Sequence, residues 1–195
     1  MNEGFTGDDL AEIVKLGGRA LEVEDRFICG CLRRNSAYRG SKQPAGIVYL
    51  KNERYYQRVI VGALLASFGY VVKPEYPRGG NSFDFALVSA VGGDAVALGE
   101  LKLCMDKPLG PISEIVGDIE KLRTESCGQF VLLCYLAEKS QLEACINDLL
   151  RELGCSGNKR YTYAFDTEYD RDGKGTIEQN GEFALIGVLL KESAA

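Results

Sequence analysis

Apolar residues recur with helical spacing near the end of the first third of the chain. Between residues 52 and 68 they recur at i, i+3, i+4, i+7, i+8 and i+12 counted from residue 56, and Gly69 follows the last of them. This spacing places them on one face of an amphipathic helix, and a glycine commonly follows a helix. We therefore predict a helix over 52–68 whose apolar stripe is Tyr56, Val59, Ile60, Ala63, Leu64 and Phe68.

The pattern after this helix is typical of strands. Tyr70 to Pro74 predicts a short strand, and Arg78-Gly-Gly-Asn81 predicts a turn. Two apolar stretches follow, Phe83 to Ala90 and Ala95 to Cys104, and Val91-Gly-Gly-Asp94 separates them. A short glycine-containing segment between two strand patterns indicates a β-hairpin, so we expect these two strands to be antiparallel neighbours.

Helix and strand patterns then alternate. Gly110-Pro111 predicts the start of a helix, and the continuous apolar run from Gln129 to Leu136 predicts a strand buried on both faces. Ser140-Gln-Leu-Glu143 has the spacing of a capping box at the start of another helix, which Gly154 would end. Strand patterns finish the chain, near Tyr161 to Phe165 and Phe183 to Leu190.

The first 46 residues are patterned more weakly. Helical spacing is present near Asp8 to Leu16 and again near Val23 to Arg34, and Asn35 to Gly46 has the composition of a loop. We predict one α/β domain over 1–195 with a central mixed β-sheet flanked by helices. Its parts are an N-terminal helical extension and loop (1–46), a core (47–138), and a C-terminal helix and strands (139–195).

Composition favours a soluble protein of the cytoplasm. No apolar run approaches the roughly 20 residues that cross a bilayer, and the acidic start of the chain lacks the pattern of a secretory signal. The seven cysteines are an odd number and several lie in apolar runs, which favours reduced, buried thiols over disulfides. We therefore expect a cytoplasmic protein that does not associate with membranes.

Charge and residue usage narrow the chemistry. The chain has no histidine, so a general base would have to come from other side chains or from a metal-bound water. The net charge of −5 argues against binding nucleic acid with the whole surface. Residues 33–42 form a basic segment whose charge is opposite to this net charge. Its basic residues could hold a phosphate backbone, and they are Arg33, Arg34, Arg39 and Lys42. An ordinary exposed basic loop is the alternative interpretation.

The predicted hairpin carries the candidate chemistry. Asp84 lies in its first strand, and Glu100 and Lys102 lie two residues apart in its second strand. Side chains alternate along a strand, so Glu100 and Lys102 share one face with Val96 and Leu98. Burying two charges on an otherwise apolar face costs desolvation free energy unless an oppositely charged partner or a metal pairs with them.

The order of predicted elements and these three residues resemble the PD-(D/E)XK nuclease superfamily. The resemblance covers residues 50 to 138, and Phe83 stands where the family name has proline. It implies a restriction-endonuclease-like core of order αβββαβ, here with extra N-terminal helices and C-terminal strands. It also implies hydrolysis of phosphodiester bonds in nucleic acid, DNA before RNA. A homodimer would suit cleavage of both strands.

The resemblance also assigns roles to residues. Asp84 and Glu100 would hold Mg²⁺ or Mn²⁺, and Lys102 would orient or polarise the attacking water. Glu53, in the first turn of the helix over 52–68, matches the place of a further metal ligand in many family members. Asp118 and Lys121 occupy a helix on which the family sometimes has supporting polar residues.

Each assignment has a structural alternative. Asp84 could be an acid at a strand start, and Glu100 with Lys102 could form a solvent-facing, salt-bridged hairpin edge. Glu53 could serve only to interact with the helix dipole, and Asp118 and Lys121 could lie on a solvated helix face. The same fold could also serve as a catalytically inactive module that binds protein or nucleic acid.

Overall fold

A computed structural model describes residues 4–34, 53–89, 93–104, 112–170 and 177–193. These residues form four helices and one mixed sheet of six strands, in spatial order β1-β2-β3-β4-β6-β5. In chain order the elements are α1 (Gly7–Arg34), α2 (Glu53–Ser67), β1 (Val71–Arg78), β2 (Asn81–Val88), β3 (Ala95–Cys104), α3 (Ile112–Arg123), β4 (Gly128–Glu138), α4 (Leu142–Glu152), β5 (Arg160–Asp170) and β6 (Ile177–Lys191).

The N-terminal region corrects the prediction of two separate helical stretches. It forms one helix, α1, of 28 residues. Gly17 and Gly18 lie between the predicted stretches, but they do not interrupt the helix. A Cβ on Gly18 would lie 2.5 Å from Tyr163 Cγ, so the missing side chain lets α1 approach β5 closely. Glycine here serves packing between elements rather than a break.

The predicted helix over 52–68 is confirmed as α2, and the strand after it is longer than expected. β1 continues past Pro74 to Arg78, because it is an edge strand and can hold prolines on its unpaired side. Gly79 and Gly80, both with positive φ, turn the chain into β2. Paired positive φ angles are typical of the tight turns that join antiparallel strands.

The middle of the sheet matches the expected pattern. β2 pairs antiparallel with β3, and β3 pairs in parallel with β4, which is buried on both faces. Alternate β4 residues enter two different cores. One core lies under α1 and α2 and contains Phe130, Leu132, Cys134 and Leu136; the other lies under α3 and α4 and contains Val131, Leu133, Tyr135 and Ala137.

α4 has the predicted C-terminus but not the predicted N-terminus. Its N-cap is Gln141, which makes no side-chain capping bond, so the capping box from Ser140 to Glu143 is wrong. Ser140 Oγ instead donates to Glu138 Oε1 in the preceding strand. At the other end Gly154 has φ +65°, and the Cys155 amide donates to Leu150 O, as in a Schellman motif.

The cysteines and the C-terminal strands are also described. All seven cysteines lie in the described part of the chain, and all are free. β5 and β6 form the expected C-terminal strands and are longer than their sequence patterns. The predicted loop from Asn35 to Gly46 and the predicted helix start at Gly110-Pro111 lie outside the described residues. Among the described helices none is long and apolar enough to cross a membrane.

Candidate functional site

β2 and β3 separate at the position of Asp84. The last pair in their ladder is Phe85 with Gly99, and continuing that register by one residue would place Asp84 opposite Glu100. β2 instead stays paired with β1 as far as Asn81. A gap therefore opens between the two strands where both predicted carboxylates lie.

Side chains occupy the hydrogen-bonding positions that the ladder leaves in this gap. The Leu101 amide donates to Asp84 Oδ2 at 2.8 Å, and the Leu103 amide donates to Glu53 Oε2 at 3.4 Å. Gln57 Nε2 donates to the backbone oxygen of Asp84 at 2.7 Å. Buried backbone groups are nearly always paired, so these side chains make it possible for the strands to diverge.

Glu100 is a buried carboxylate with incomplete pairing. Its residue is 3% exposed, and Lys121 Nζ lies 2.5 Å from its Oε1. That contact is an ion pair without hydrogen-bond geometry, and among the described residues Oε1 has no hydrogen-bond partner. Burial raises the pKa of Glu100 to about 8, and the neighbouring Asp84 charge raises it further against the opposing effect of Lys121.

Lys102 is held by acids from two helices. Its Nζ lies 2.8 Å from Asp118 Oδ2 on α3 and 3.7 Å from Glu53 Oε1 on α2. Burial alone would lower the pKa of Lys102, but the Asp118 hydrogen bond and the charges of Glu53 and Asp118 together raise it above its ordinary value. Lys102 is therefore a cation and a hydrogen-bond donor rather than a base.

Two structural alternatives from the sequence are wrong. Glu100 and Lys102 do not form a solvent-facing edge, because β3 is an inner strand of the sheet and Glu100 is buried. Asp118 and Lys121 do not form a solvated face either. Lys121 contacts Glu100 and Asp118, and its Nζ lies 4.9 Å from the centre of the Phe83 ring.

A signal for these α3 residues was present in the sequence. Asp118 and Lys121 are three residues apart, and each immediately precedes a buried residue of the apolar stripe, Ile119 or Leu122. They therefore lie at the border of the stripe, where side chains reach the sheet.

The two apolar residues expected on the face of Glu100 and Lys102 lie in different places. Leu98 packs in the same small core as Leu122. Val96 packs against the core under α1 and α2.

The assembled cluster contains more carboxyl groups than ammonium groups. It contains four carboxyl groups, from Glu53, Asp84, Glu100 and Asp118, and two ammonium groups, from Lys102 and Lys121. Burial raises the pKa of Glu53 despite the nearby Lys102 charge. A bound cation would favour ionisation of the two acids whose pKa is raised, Glu53 and Glu100, so the cluster suits a site that receives one.

A cavity of about 230 Å³ opens beside Asp84. It is lined by Glu53, Arg54, Gln57, Glu75, Asp84 and Leu101. Glu75 has φ +51° and lies across from Asp84 in the β1–β2 register, where it is left out of the pairing. Arg54 was not singled out as a site residue from the sequence. Its position one residue after Glu53, at the start of α2, brings it to the cavity.

The predicted nucleic-acid residues are only partly described. Arg33 and Arg34 end α1, and Arg34 is exposed. Arg39 and Lys42 lie outside the described residues. The basic segment therefore stays a prediction.

The described residues contain no group of three or more histidine, cysteine, aspartate or glutamate side chains placed to hold a metal ion. Asp84 and Glu100 form a pair only. Comparison of the chain with protein-family models, curated proteins and solved structures found no match.

Proposed function

We propose that this protein is a metal-dependent nuclease of the PD-(D/E)XK type with a restriction-endonuclease-like core, and that it hydrolyses phosphodiester bonds, in DNA before RNA. One observation carries the proposal. Asp84 and the buried carboxylate of Glu100 come together where β2 and β3 separate, with Lys102 held at the same end of β3. Two neighbouring acids at a buried place repel each other when both are ionised, and a bound cation would relieve that cost.

The residues fit a hard divalent cation. The buried Glu100 Oε1 contacts the Lys121 ammonium but has no hydrogen-bond partner among the described residues, and the Asp84 charge beside it makes ionisation unfavourable. Carboxylate oxygens are the ligands that Mg²⁺ and Mn²⁺ prefer, and Mg²⁺ often binds one or two carboxylates while keeping several waters. Asp84 and Glu100 would hold the ion, and Glu53, which lines the same cavity as Asp84, is a further acid beside them. A pair of ligands is therefore compatible with Mg²⁺.

When bound, such an ion polarises a phosphoryl oxygen and lowers the pKa of a bound water. The chain's own groups have separate tasks. Lys102 is a fixed cation whose Nζ can donate hydrogen bonds to a phosphate oxygen or to water, because Asp118 and Glu53 orient it. Lys121 offsets part of the charge of Glu100. Arg54 offers a positive group in the cavity next to Asp84.

Three substitutions test the division of tasks. Asp84→Asn and Glu100→Gln keep size but remove charge, so both should weaken Mg²⁺ binding in calorimetric titration and abolish cleavage of plasmid and single-stranded DNA. Lys102→Met leaves both carboxylates, so affinity for Mg²⁺ should be equal or higher while turnover falls by orders of magnitude. Glu120→Gln, on the exposed side of α3, is the matched control.

The proposal fails if the wild-type protein binds no divalent ion at millimolar concentration, or if Lys102→Met cleaves as fast as wild type. A specific observation then favours the second candidate, an inactive nuclease-fold module that binds protein or nucleic acid. Asp84 and Glu53 accept hydrogen bonds from β3 amides, which is a structural task that needs no metal. Such a module would keep these acids for its fold and bind without cleaving.

A further inference from the structure

A second cavity lies directly beside the candidate site. It has a volume of about 200 Å³ and runs between α2 and the edge strand β1. We call it the α2 groove. It is lined by Gln57, Arg58, Val61, Gly62, Leu65 and Pro74.

Gln57 joins the two cavities. It lines both of them, and its amide group also donates to the backbone of Asp84. The α2 groove therefore begins within one side chain of the carboxylates. A ligand whose charged group lies beside Asp84 can place its next group in the α2 groove.

The walls of the α2 groove are apolar and open. Leu65 is 62% exposed, so its side chain is accessible to a ligand in the groove. A Cβ on Gly62 would meet no atom within 4 Å, so the helix leaves the space above it clear. The volume is below the roughly 300–1,000 Å³ of pockets for drug-sized ligands, which limits the occupant to one ring system or one side chain.

Charge favours a nucleotide as that occupant. Arg54 and Arg58 are four residues apart on α2, so they lie on the same side of the helix, one at each cavity. Both are exposed, and neither forms an ion pair with another described residue. Arginine contacts phosphate through its planar fork and stacks on bases, whereas apolar side chains supply a surface for a base face.

We propose that the α2 groove binds one unpaired base of a nucleic-acid strand while Arg54 and Arg58 contact the phosphates on either side. The inference rests on the proposed function, because it places the adjoining phosphate at Asp84 and Glu100. It defines the substrate class as single-stranded nucleic acid, or duplex that is locally open. A base inside an intact duplex cannot enter a groove of this kind.

The test compares two probes of equal length, a thymidine oligonucleotide and the same backbone with abasic sites. Affinity is measured by fluorescence anisotropy with Ca²⁺ in place of Mg²⁺, so that binding is measured without cleavage. Wild type should bind the thymidine strand on the order of 10-fold more tightly, the gain expected from seating one base. Gly62→Leu, which fills the α2 groove, should lower that affinity to the value for the abasic strand.

Two further variants keep the result interpretable. Leu65→Ser changes an exposed side chain and should also reduce the preference for thymidine. Gly30→Leu is the matched control, because Gly30 is a helical glycine with equally open space in α1, and it should leave the preference unchanged. Thermal melting verifies that each variant folds. The inference is overturned if wild type binds neither probe, if it binds both equally, or if Gly62→Leu and Leu65→Ser keep the preference.

Failure of the inference can be told apart from failure of the proposed function. Cleavage of the thymidine strand in Mg²⁺ without any preference over the abasic strand would keep the nuclease and remove the α2 groove as a base site. A preference that Gly62→Leu abolishes, without cleavage in Mg²⁺, would keep the base site and remove the nuclease. Sedimentation that shows a wild-type dimer and a Gly62→Leu monomer would assign the α2 groove to a contact between copies and overturn the inference.

Discussion

Asp118 on α3 holds Lys102 on β3, with 2.8 Å between Oδ2 and Nζ. The contact joins α3 to β3, the strand that precedes it in the chain. Burial acts to raise the pKa of Asp118, but its hydrogen bonds and charge interactions with Lys102 and Lys121 lower it overall. Asp118 is therefore ionised at neutral pH and fixes the position of the proposed water-orienting cation.

From this contact we predict a positioning role for Asp118. Asp118→Asn should lower turnover by about 10- to 100-fold, the usual cost of removing a group that orients an active-site residue. Affinity for Mg²⁺ should be equal or only slightly lower, because Asp118 is not one of the proposed ligands and only its charge is lost from the cluster. Cleavage rates and calorimetric titration of the same preparations measure the two quantities. Glu120→Gln is the control, and equal activity of Asp118→Asn and wild type would contradict the role.

Glu100 predicts a dependence of stability on pH. Its pKa in the folded protein, about 8, is above the ordinary value of 4.5, so between these pH values the folded state binds more protons than the unfolded state. The contribution of Glu100 to the free energy of unfolding is fully present below about pH 4.5 and is lost as pH rises through 8. The loss is at most about 1.4 kcal/mol per pH unit. Urea unfolding from pH 5 to pH 9 without divalent ions should therefore show a falling free energy.

Glu100→Gln provides the comparison for this pH series. It removes the titrating group, so the decline between pH 5 and pH 8 should become shallower than in wild type. Saturating Mg²⁺ should also flatten the wild-type curve if the ion binds the ionised carboxylate, because binding to the folded state adds stability. Parallel curves for wild type and Glu100→Gln would show that Glu100 does not titrate in this range.

Gly99 predicts a packing constraint next to the site. A Cβ at this position would lie 2.4 Å from Phe130 Cε2, and the Phe130 ring is buried against Phe5 and Phe85. Gly99→Ala should lower the free energy of unfolding by about 1–3 kcal/mol, as expected for overpacking. Gly117→Ala, where the new Cβ meets no atom within 4 Å, should be neutral or stabilising by up to about 1 kcal/mol. Urea unfolding of both variants measures the difference, and equal stability would contradict the constraint.

The basic segment predicts a change in the salt dependence of nucleic-acid binding. Replacing Arg33, Arg34 and Arg39 by glutamine should weaken binding of all sequences alike. The slope of log affinity against log salt should fall by about 0.7–0.9 for each phosphate that the variant no longer neutralises. Arg151→Gln on α4 is the control for a simple loss of charge. An unchanged slope would show that these arginines do not contact phosphates and that the segment is an ordinary exposed one.

The local patterns of the sequence predicted most of the elements that carry the site. The apolar spacing of α2, the turn at Gly79-Gly80 and the buried run of β4 depend on short-range rules of helix period, turn geometry and burial. The same rules failed at the N-terminus, because Gly17 and Gly18 look like a break. Only close packing against residues far away in the chain, Ile60 and Leu185 at Gly17 and Tyr163 at Gly18, explains them as part of one helix.

The candidate site, too, could be predicted only in part from the sequence. By itself the sequence determined that Asp84, Glu100 and Lys102 lie on neighbouring strands, because alternation along a strand and a short hairpin are local properties. Only the tertiary structure decided that β2 leaves β3 at Asp84, that Glu53 and Asp84 pair with the exposed amides, and that Asp118 and Lys121 reach Lys102 and Glu100. The physical reason is that burial, pairing and pKa depend on which elements pack together, and the spacing of residues along the chain does not specify that packing.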